Sequence, residues 1–147
     1  MQQALELARE AGQRDEVPVG ALVVDAKGDI IGKGYNLRES RQSPLAHAEI
    51  LAIEEAAAHL GSWRLEDCRL VVTLEPCPMC LAACQQARVS EVIYAAHDPK
   101  GGALSLGYRL NEDLRLNHRF AVTRIEEPEC GEILSKFFLR KRPKKIK

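Results

Sequence analysis

Two short motifs, His47-Ala48-Glu49 and Pro76-Cys77-Pro78-Met79-Cys80, have 26 residues between them in this chain of 147 residues. One imidazole and two thiols are side chains of the kind that zinc prefers as ligands, and the Glu49 carboxyl lies two residues from the imidazole. Structural zinc sites usually have four protein ligands, whereas catalytic sites leave one position for water. The motifs therefore predict a water-activating metal site.

Both motifs fall at predicted helix starts. Ser43-Pro44 begins a helix predicted from about 45 to 60, with His47 in its first turn, and Pro78 begins the next helix. The partial positive charge at a helix N-terminus favours the thiolate form of cysteine. Glu49 lies about 200° around the helix from His47, so we expect the two to flank a pocket, with Glu49 as general acid and base.

The remaining apolar pattern predicts an N-terminal helix that ends near Gly12, and strands at 19–24, 30–35, 69–74, 91–96 and 120–125. A closing helix is predicted from about 129 to 140, and glycines predict loops and short helical pieces over 97–119. Because strands separated by helices need crossover connections, we expect a mixed, largely parallel α/β sheet with helices on both faces. The strand at 30–35 contains glycines and a charge, which predicts a sheet edge. On the helix from about 45 to 60, the buried stripe is expected at Ala46, Ile50, Ile53, Ala57 and Leu60.

The chain length favours a single domain, over residues 1–139. No apolar run approaches the ~20 residues that span a bilayer, and charged residues such as Arg9 interrupt any apolar stretch near the N-terminus. An odd count of five cysteines, two of them in a Cys-x-x-Cys pair, favours metal binding over disulfides. We therefore expect a cytoplasmic protein without membrane association.

The charge distribution is uneven although the formal net charge is zero. Residues 140–147 carry six positive and no negative charges, so residues 1–139, with 15 positive and 21 negative charges, carry about minus six. A basic C-terminal tail on an acidic body predicts a polyanionic partner such as nucleic acid. The alternative is a solvated terminus without a partner.

Cys84 is the rival for the ligand set, because it follows Cys80 by four residues on the same helix face. With Cys84 as fourth ligand the zinc would be structural. An interior helical cysteine is more often a small buried apolar residue, and we expect the same of Cys68 and Cys130. A redox role for the Cys-x-x-Cys pair is disfavoured by the upstream His-x-Glu.

His-x-Glu followed by Pro-Cys-x-x-Cys is the signature of the zinc-dependent nucleoside deaminases. The chain more closely resembles the bacterial tRNA-specific adenosine deaminases within that superfamily. The matching segments extend from residue 16 to 119: Glu16-Val17-Pro18-Val19-Gly20-Ala21, Gly34-Tyr35-Asn36, Ala46-His47-Ala48-Glu49-Ile50, Thr73-Leu74-Glu75-Pro76-Cys77 and Asn117-His118-Arg119.

The resemblance implies a three-layer α/β/α cytidine-deaminase-like fold, a homodimer, and conversion of adenosine to inosine at the wobble position of a tRNA anticodon. It implies that His47, Cys77 and Cys80 hold one Zn²⁺ per subunit and that Glu49 shuttles protons during attack of water on adenine C6. Residues implied to contact the base or the anticodon stem-loop are Asn36, Ala48 through its backbone N–H, Asp98, Lys100, Asn117, His118 and Arg119. Phe138 or Phe137 is expected to stack on a base, with one of the two buried.

Two other functions stay open from the sequence. The first is deamination of a free base or nucleoside, such as cytosine or guanine, on the same fold. The second is a non-catalytic, zinc-stabilised RNA-binding module, which would need no carboxyl at Glu49.

Overall fold

The computed structural model describes residues 1–142. Over this range the elements follow one another as α1 (Gln2–Gln13), β1 (Gly20–Val24), β2 (Ile30–Tyr35), α2 (Arg38–Arg41), α3 (Ala48–Leu60), β3 (Arg69–Leu74), α4 (Pro78–Ala87), β4 (Glu91–Ala96), β5 (Ala121–Arg124) and α5 (Pro128–Lys141). None of these helices is long and apolar enough to cross a bilayer.

The five strands form one mixed sheet in the order β2-β1-β3-β4-β5. β1 pairs antiparallel with both β2 and β3, whereas β3 with β4 and β4 with β5 are parallel pairs. β1 is therefore the one described strand that runs against the others. The sheet class and the edge position of β2 confirm the predictions.

Helices cover both faces of the sheet. α1 packs on Gly20, where an added Cβ would lie 2.0 Å from the carbonyl oxygen of Ala4, and α3 packs on Gly34, where it would lie 2.3 Å from that of Ala48. Gly34 pairs with Ala21, the neighbour of Gly20, so the two glycines face opposite sides. α4 contacts α3 and α5 contacts α1, which completes the three predicted layers.

The α3 region differs from the sequence prediction. The helix begins at Ala48 rather than near residue 45, so His47 is its N-cap residue instead of lying in the first turn. Its buried stripe is Ala48, Ala52 and Ala56, and the predicted stripe residue Leu60 is exposed. The physical reason is the close approach of α3 to Gly32 and Gly34, which leaves room only for methyl side chains.

The C-terminal region agrees with the sequence prediction as far as the structure describes it. α5 extends to Lys141, so the first residues of the predicted basic tail are helical. Residues 143–147 of that tail lie outside the described residues. Phe137 is 6% exposed and Phe138 48%, so one of the two phenylalanines is buried, as predicted.

Residues 97–119 form loops between β4 and β5, without the short helical pieces that were expected.

Candidate active site

The two sequence motifs meet where α3 and α4 begin. His47 is the N-cap residue of α3, Cys77 is the N-cap residue of α4, and Cys80 lies in the first turn of α4. Pro78 at the first helical position starts α4 directly after β3, because its fixed φ suits a helix start. Both N-cap residues have extended backbones, which turn their side chains toward a common point.

The three side chains lie at the distances that one zinc ion requires. The Sγ atoms of Cys77 and Cys80 lie 3.6 and 3.5 Å from Nδ1 of His47. A tetrahedral zinc with Zn–S of about 2.3 Å and Zn–N of about 2.0 Å needs about 3.5 Å between these atoms. The ligand atoms all lie within 4.8 Å of one another, so the donor set fits zinc.

Cys84 lies outside this cluster. Within residues 1–142, only one group of three or more His, Cys, Asp or Glu side chains lies close enough together to share a metal ion. This group is His47, Cys77 and Cys80. Cys84 is fully buried in the hydrophobic core, where burial raises the pKa of its thiol. Cys68 and Cys130 are also buried and unpaired. The alternative with Cys84 as fourth ligand therefore has no geometric support.

Hydrogen bonding distributes the protons within the cluster. A bond from the Cys80 thiol, with another from His47, lowers the pKa of Cys77 to about 4. Donating that bond to Cys77, together with burial, raises the pKa of Cys80. The bond to Cys77 also raises the pKa of His47. Without a metal, these hydrogen bonds favour the thiolate form at Cys77, in accord with its place at a helix N-terminus.

The Glu49 carboxyl is the fourth titratable group at the site, beside His47, Cys77 and Cys80. It lies in the first turn of α3, and the residue is 4% exposed. Burial, which penalises the charged form, raises the pKa of this carboxyl. Glu49 and His47 both line one cleft, so they flank a pocket as predicted from their spacing.

This cleft has a volume of about 1030 Å³ and opens at the carboxyl ends of β3 and β4. Its walls include the predicted substrate residues Asn36, Ala48, Asp98, Lys100 and Phe138. Exposed cations also line it, at Arg38, Lys100, Lys141 and Arg142. Lys141 among them is paired with Asp15, and the cleft is also lined by three carboxyl residues, Glu49, Glu75 and Asp98.

Asn36 is held in place by backbone groups. Its Nδ2 donates to the carbonyl oxygen of Val17 at 3.3 Å, and its Oδ1 accepts the N–H of Arg38 at 3.1 Å. An amide carries two N–H donors and two acceptor lone pairs, so one of each is left for a ligand. Ala48 is the first residue of α3, and its N–H has no partner within the helix.

The predicted Asn117-His118-Arg119 segment does not line the cleft of this chain. His118 stacks on Phe120 with ring centroids 5.8 Å apart, and its Nε2 lies 2.6 Å from the carbonyl oxygen of Val89. This places His118 beyond the C-terminal end of α4, whereas the candidate ligands Cys77 and Cys80 lie at its start. Asn117 and Arg119 are exposed.

Sequence reasoning gave no role to two buried carboxylates that hold the loops beside the cleft. Glu16 accepts the N–H groups of Glu39 and Ser40 at 3.2 and 2.8 Å and thereby fixes α2, which the sequence analysis did not predict. Glu75 holds the loop after β4 in the same way. The sequence signal for both residues is a glutamate directly next to an apolar segment: Glu16 precedes Val17-Pro18, and Glu75 follows the strand that ends at Leu74.

Comparisons with known proteins agree with this geometry. Residues 1–96 match the family described as the cytidine and deoxycytidylate deaminase zinc-binding region. The tRNA-specific adenosine deaminase of Bacillus subtilis is 47% identical over 146 residues, which cover 99% of this chain and 90% of the relative. A solved structure from a study of A-to-I editing by tRNA:A34 deaminases at the wobble position of transfer RNA superposes with a TM-score of 0.85.

That structure is 44% identical and covers 91% of this chain and 97% of its own. A guanine deaminase of Bacillus subtilis also matches, with a TM-score of 0.63 and 30% identity over 99% of this chain and 94% of its own. The fold is thus shared by enzymes whose names refer to different purines.

Proposed function

Because this chain belongs to the cytidine and deoxycytidylate deaminases, and among them to the tRNA-specific adenosine deaminases, we propose that it converts adenosine to inosine at the wobble position of a tRNA anticodon. The main support for this proposal is the 47% identity, over nearly the full length, with a tRNA-specific adenosine deaminase. The cluster of His47, Cys77 and Cys80 beside Glu49 agrees with it. The 30% identity with a guanine deaminase supports the free-base alternative less well.

His47, Cys77 and Cys80 would hold the zinc ion, which when bound acidifies a water molecule for attack on a ring carbon. Glu49 would take a proton from the attacking water and deliver it to the exocyclic nitrogen of adenosine, so that the C6–N bond breaks and ammonia leaves. The products are inosine and ammonia, so atoms and charge balance. Burial of Glu49 keeps bulk water away from this proton transfer.

Other residues of the cleft bind and orient the base. The remaining N–H and lone pair of the Asn36 amide point to a hydrogen-bonding role toward the purine edge, and the Ala48 N–H at the helix start donates beside it. Phe138, half exposed on α5 and lining the cleft, offers a face for stacking by a neighbouring base.

The cations at the cleft mouth support a polyanionic substrate. Arg38, Lys100 and Arg142 are exposed and line the cleft, where they can contact phosphates of the anticodon stem-loop. An anticodon-loop base is already single-stranded, so its extrusion into the cleft costs little. A tRNA substrate also implies a cytoplasmic location, which fractionation of cells that express a tagged chain would test.

The substrate prediction is tested by incubating the purified chain with a tRNA anticodon stem-loop and, separately, with free adenosine, cytosine and guanine. We expect inosine at the wobble position of the stem-loop and no turnover of the free compounds. A stem-loop with guanosine at the wobble position serves as the matched control. Turnover of free bases alone would contradict the proposal and favour the guanine deaminase class.

We also propose that the chain forms a homodimer. Exposed apolar side chains on the loop between β4 and β5 support this, namely Leu106, Tyr108 and Leu114, of which Leu114 is 84% exposed. Exposed apolar side chains that form a patch often mark a protein–protein interface. Sedimentation equilibrium of the purified chain should give twice the mass of 16.3 kDa. A single-chain mass at micromolar concentration would contradict the proposal.

A further inference from the structure

The carboxylate of Glu75 is buried and is held mainly by one loop, with Nδ1 of His97 at 3.5 Å from its Oε1. Its side chain has no solvent exposure, and it lies between the end of β3 and the Pro76-Cys77 turn. Oε1 accepts the N–H of Asp98 at 3.2 Å and the Ser105 hydroxyl at 2.6 Å, and Oε2 accepts the N–H of Ser105 at 2.9 Å. A buried carboxylate is tolerated when such donors surround it, and here residues 98–105 supply these three.

This segment, which we call the cleft loop (residues 98–105), is wrapped closely around the carboxylate. A Cβ added at Gly102 would lie 2.0 Å from Oε2 of Glu75, so only glycine fits there. The N–H of Ala103 donates to the carbonyl oxygen of Pro76 at 2.8 Å. The loop is therefore attached both to Glu75 and to the residue that precedes the candidate ligand Cys77.

Three residues of the cleft loop contribute to the wall of the substrate cleft. Asp98, Lys100 and Gly101 all line it. Oδ1 of Asp98 accepts the N–H groups of Lys100 and Gly101 at 3.3 and 3.0 Å, so the turn that presents Lys100 is built on Asp98. Asp98 in turn is held through its own N–H by Glu75.

We propose that Glu75 is a positioning residue for the RNA substrate, which fixes the cleft loop so that Asp98 and Lys100 meet the polynucleotide while Glu75 itself touches no reacting atom. This inference rests on the proposed tRNA function. Glutamine cannot replace Glu75 in this role, because it has one acceptor oxygen and would direct an N–H group at the donors of Ser105 or Asp98.

The test is the variant Glu75→Gln, assayed on a tRNA anticodon stem-loop. We expect KM to rise about tenfold through loss of a hydrogen bond to a charged group, while kcat stays within about twofold. Zinc content should be unchanged. Hydrogen exchange should become faster at the amides of residues 98–105 and stay unchanged in α4. The split between KM and kcat separates positioning of the substrate from general damage to the enzyme.

Asp25→Asn is the matched control. Its carboxylate also anchors a turn, by accepting the N–H groups of Lys27 and Asp29 at 3.0 Å each, but at the end of β1 remote from the cleft. We expect its KM to equal that of the unmodified chain. Ser105→Ala removes only the hydroxyl donor and should raise KM by about threefold. This variant tests the same proposal if Glu75→Gln folds poorly.

A fall in kcat with unchanged KM, or unchanged exchange in the cleft loop, would overturn the inference. Failure of the proposed function looks different, because the unmodified chain would then make no inosine in the stem-loop.

Discussion

Replacing Glu49 with alanine is expected to reduce turnover by about 10²–10⁴-fold, the usual contribution of a positioned general acid and base. Glu49 is buried beside the candidate zinc ligands, and within the cleft it is the carboxyl nearest in sequence to His47. Zinc content should be unchanged, because the three ligand atoms belong to other residues. Single-turnover formation of inosine, measured with metal analysis of the same sample, checks both expectations.

Glu54→Ala is the control for this variant. Glu54 lies on the same helix but is exposed, so its removal should leave both turnover and zinc content as they were. If Glu49→Ala kept its turnover, the proton-shuttle role would be wrong. If it lost zinc, the loss of activity would say nothing about proton transfer.

Gly34→Ala is expected to lower the free energy of unfolding by about 3 kcal/mol or more, at the upper end of overpacking substitutions. The added Cβ would lie 2.3 Å from the carbonyl oxygen of Ala48 and 2.8 Å from the N of Ala52, and backbone atoms cannot turn aside as a side chain can. Because Ala48 lies between His47 and Glu49, displacement of α3 should also weaken zinc binding. Urea unfolding with and without a chelator measures both effects.

Gly131→Ala is the control for Gly34→Ala. Gly131 lies within α5, and nothing lies within 4 Å of an added Cβ. Alanine is the better helix former, so this variant should be more stable by about 0.5–1 kcal/mol. A similar stability for both variants would show that close helix packing on the sheet does not limit position 34.

The strands could be predicted closely from sequence because each is a short apolar run between clear breaks. β3 and β4 have the predicted boundaries, since Arg69 to Leu74 and Glu91 to Ala96 are rich in β-branched and aliphatic residues. The sheet class followed from the helices between strands. This information is local in sequence, because a short apolar run between turn residues indicates a buried strand by itself.

The helix α3 shows where this reasoning ends. Its periodicity favoured the larger side chains Ile50, Ile53 and Leu60, yet the face that packs on the sheet is made of alanines. The close approach of α3 to Gly32 and Gly34 on β2, which lie outside the helix, selects these alanines. A helical period alone cannot show how closely the helix approaches its neighbour.

The metal-ligating and acid–base residues of the site could be predicted from the sequence, but the residues that hold the surrounding loops could not. Metal-ligand types and their placement at helix starts are properties of residue type and spacing. The roles of Glu16 and Glu75 depend on loops that fold back over 24 and 30 residues, so they emerge only with the tertiary structure. The packing of His118 away from the cleft has the same origin.

The position of β1 between β2 and β3 has a consequence for the order of assembly during synthesis. The strands that lead to His47 and to Cys77 are not neighbours, because β1 lies between them and pairs with both. The hairpin of β1 and β2 must therefore wait for β3, which begins at Arg69, 34 residues after the hairpin ends at Tyr35, before the imidazole and the thiols can converge. Metal capture by the nascent chain would then report the pairing of β3 with β1, before β4 and β5 join the sheet, although residues 1–46 contribute no ligand atom.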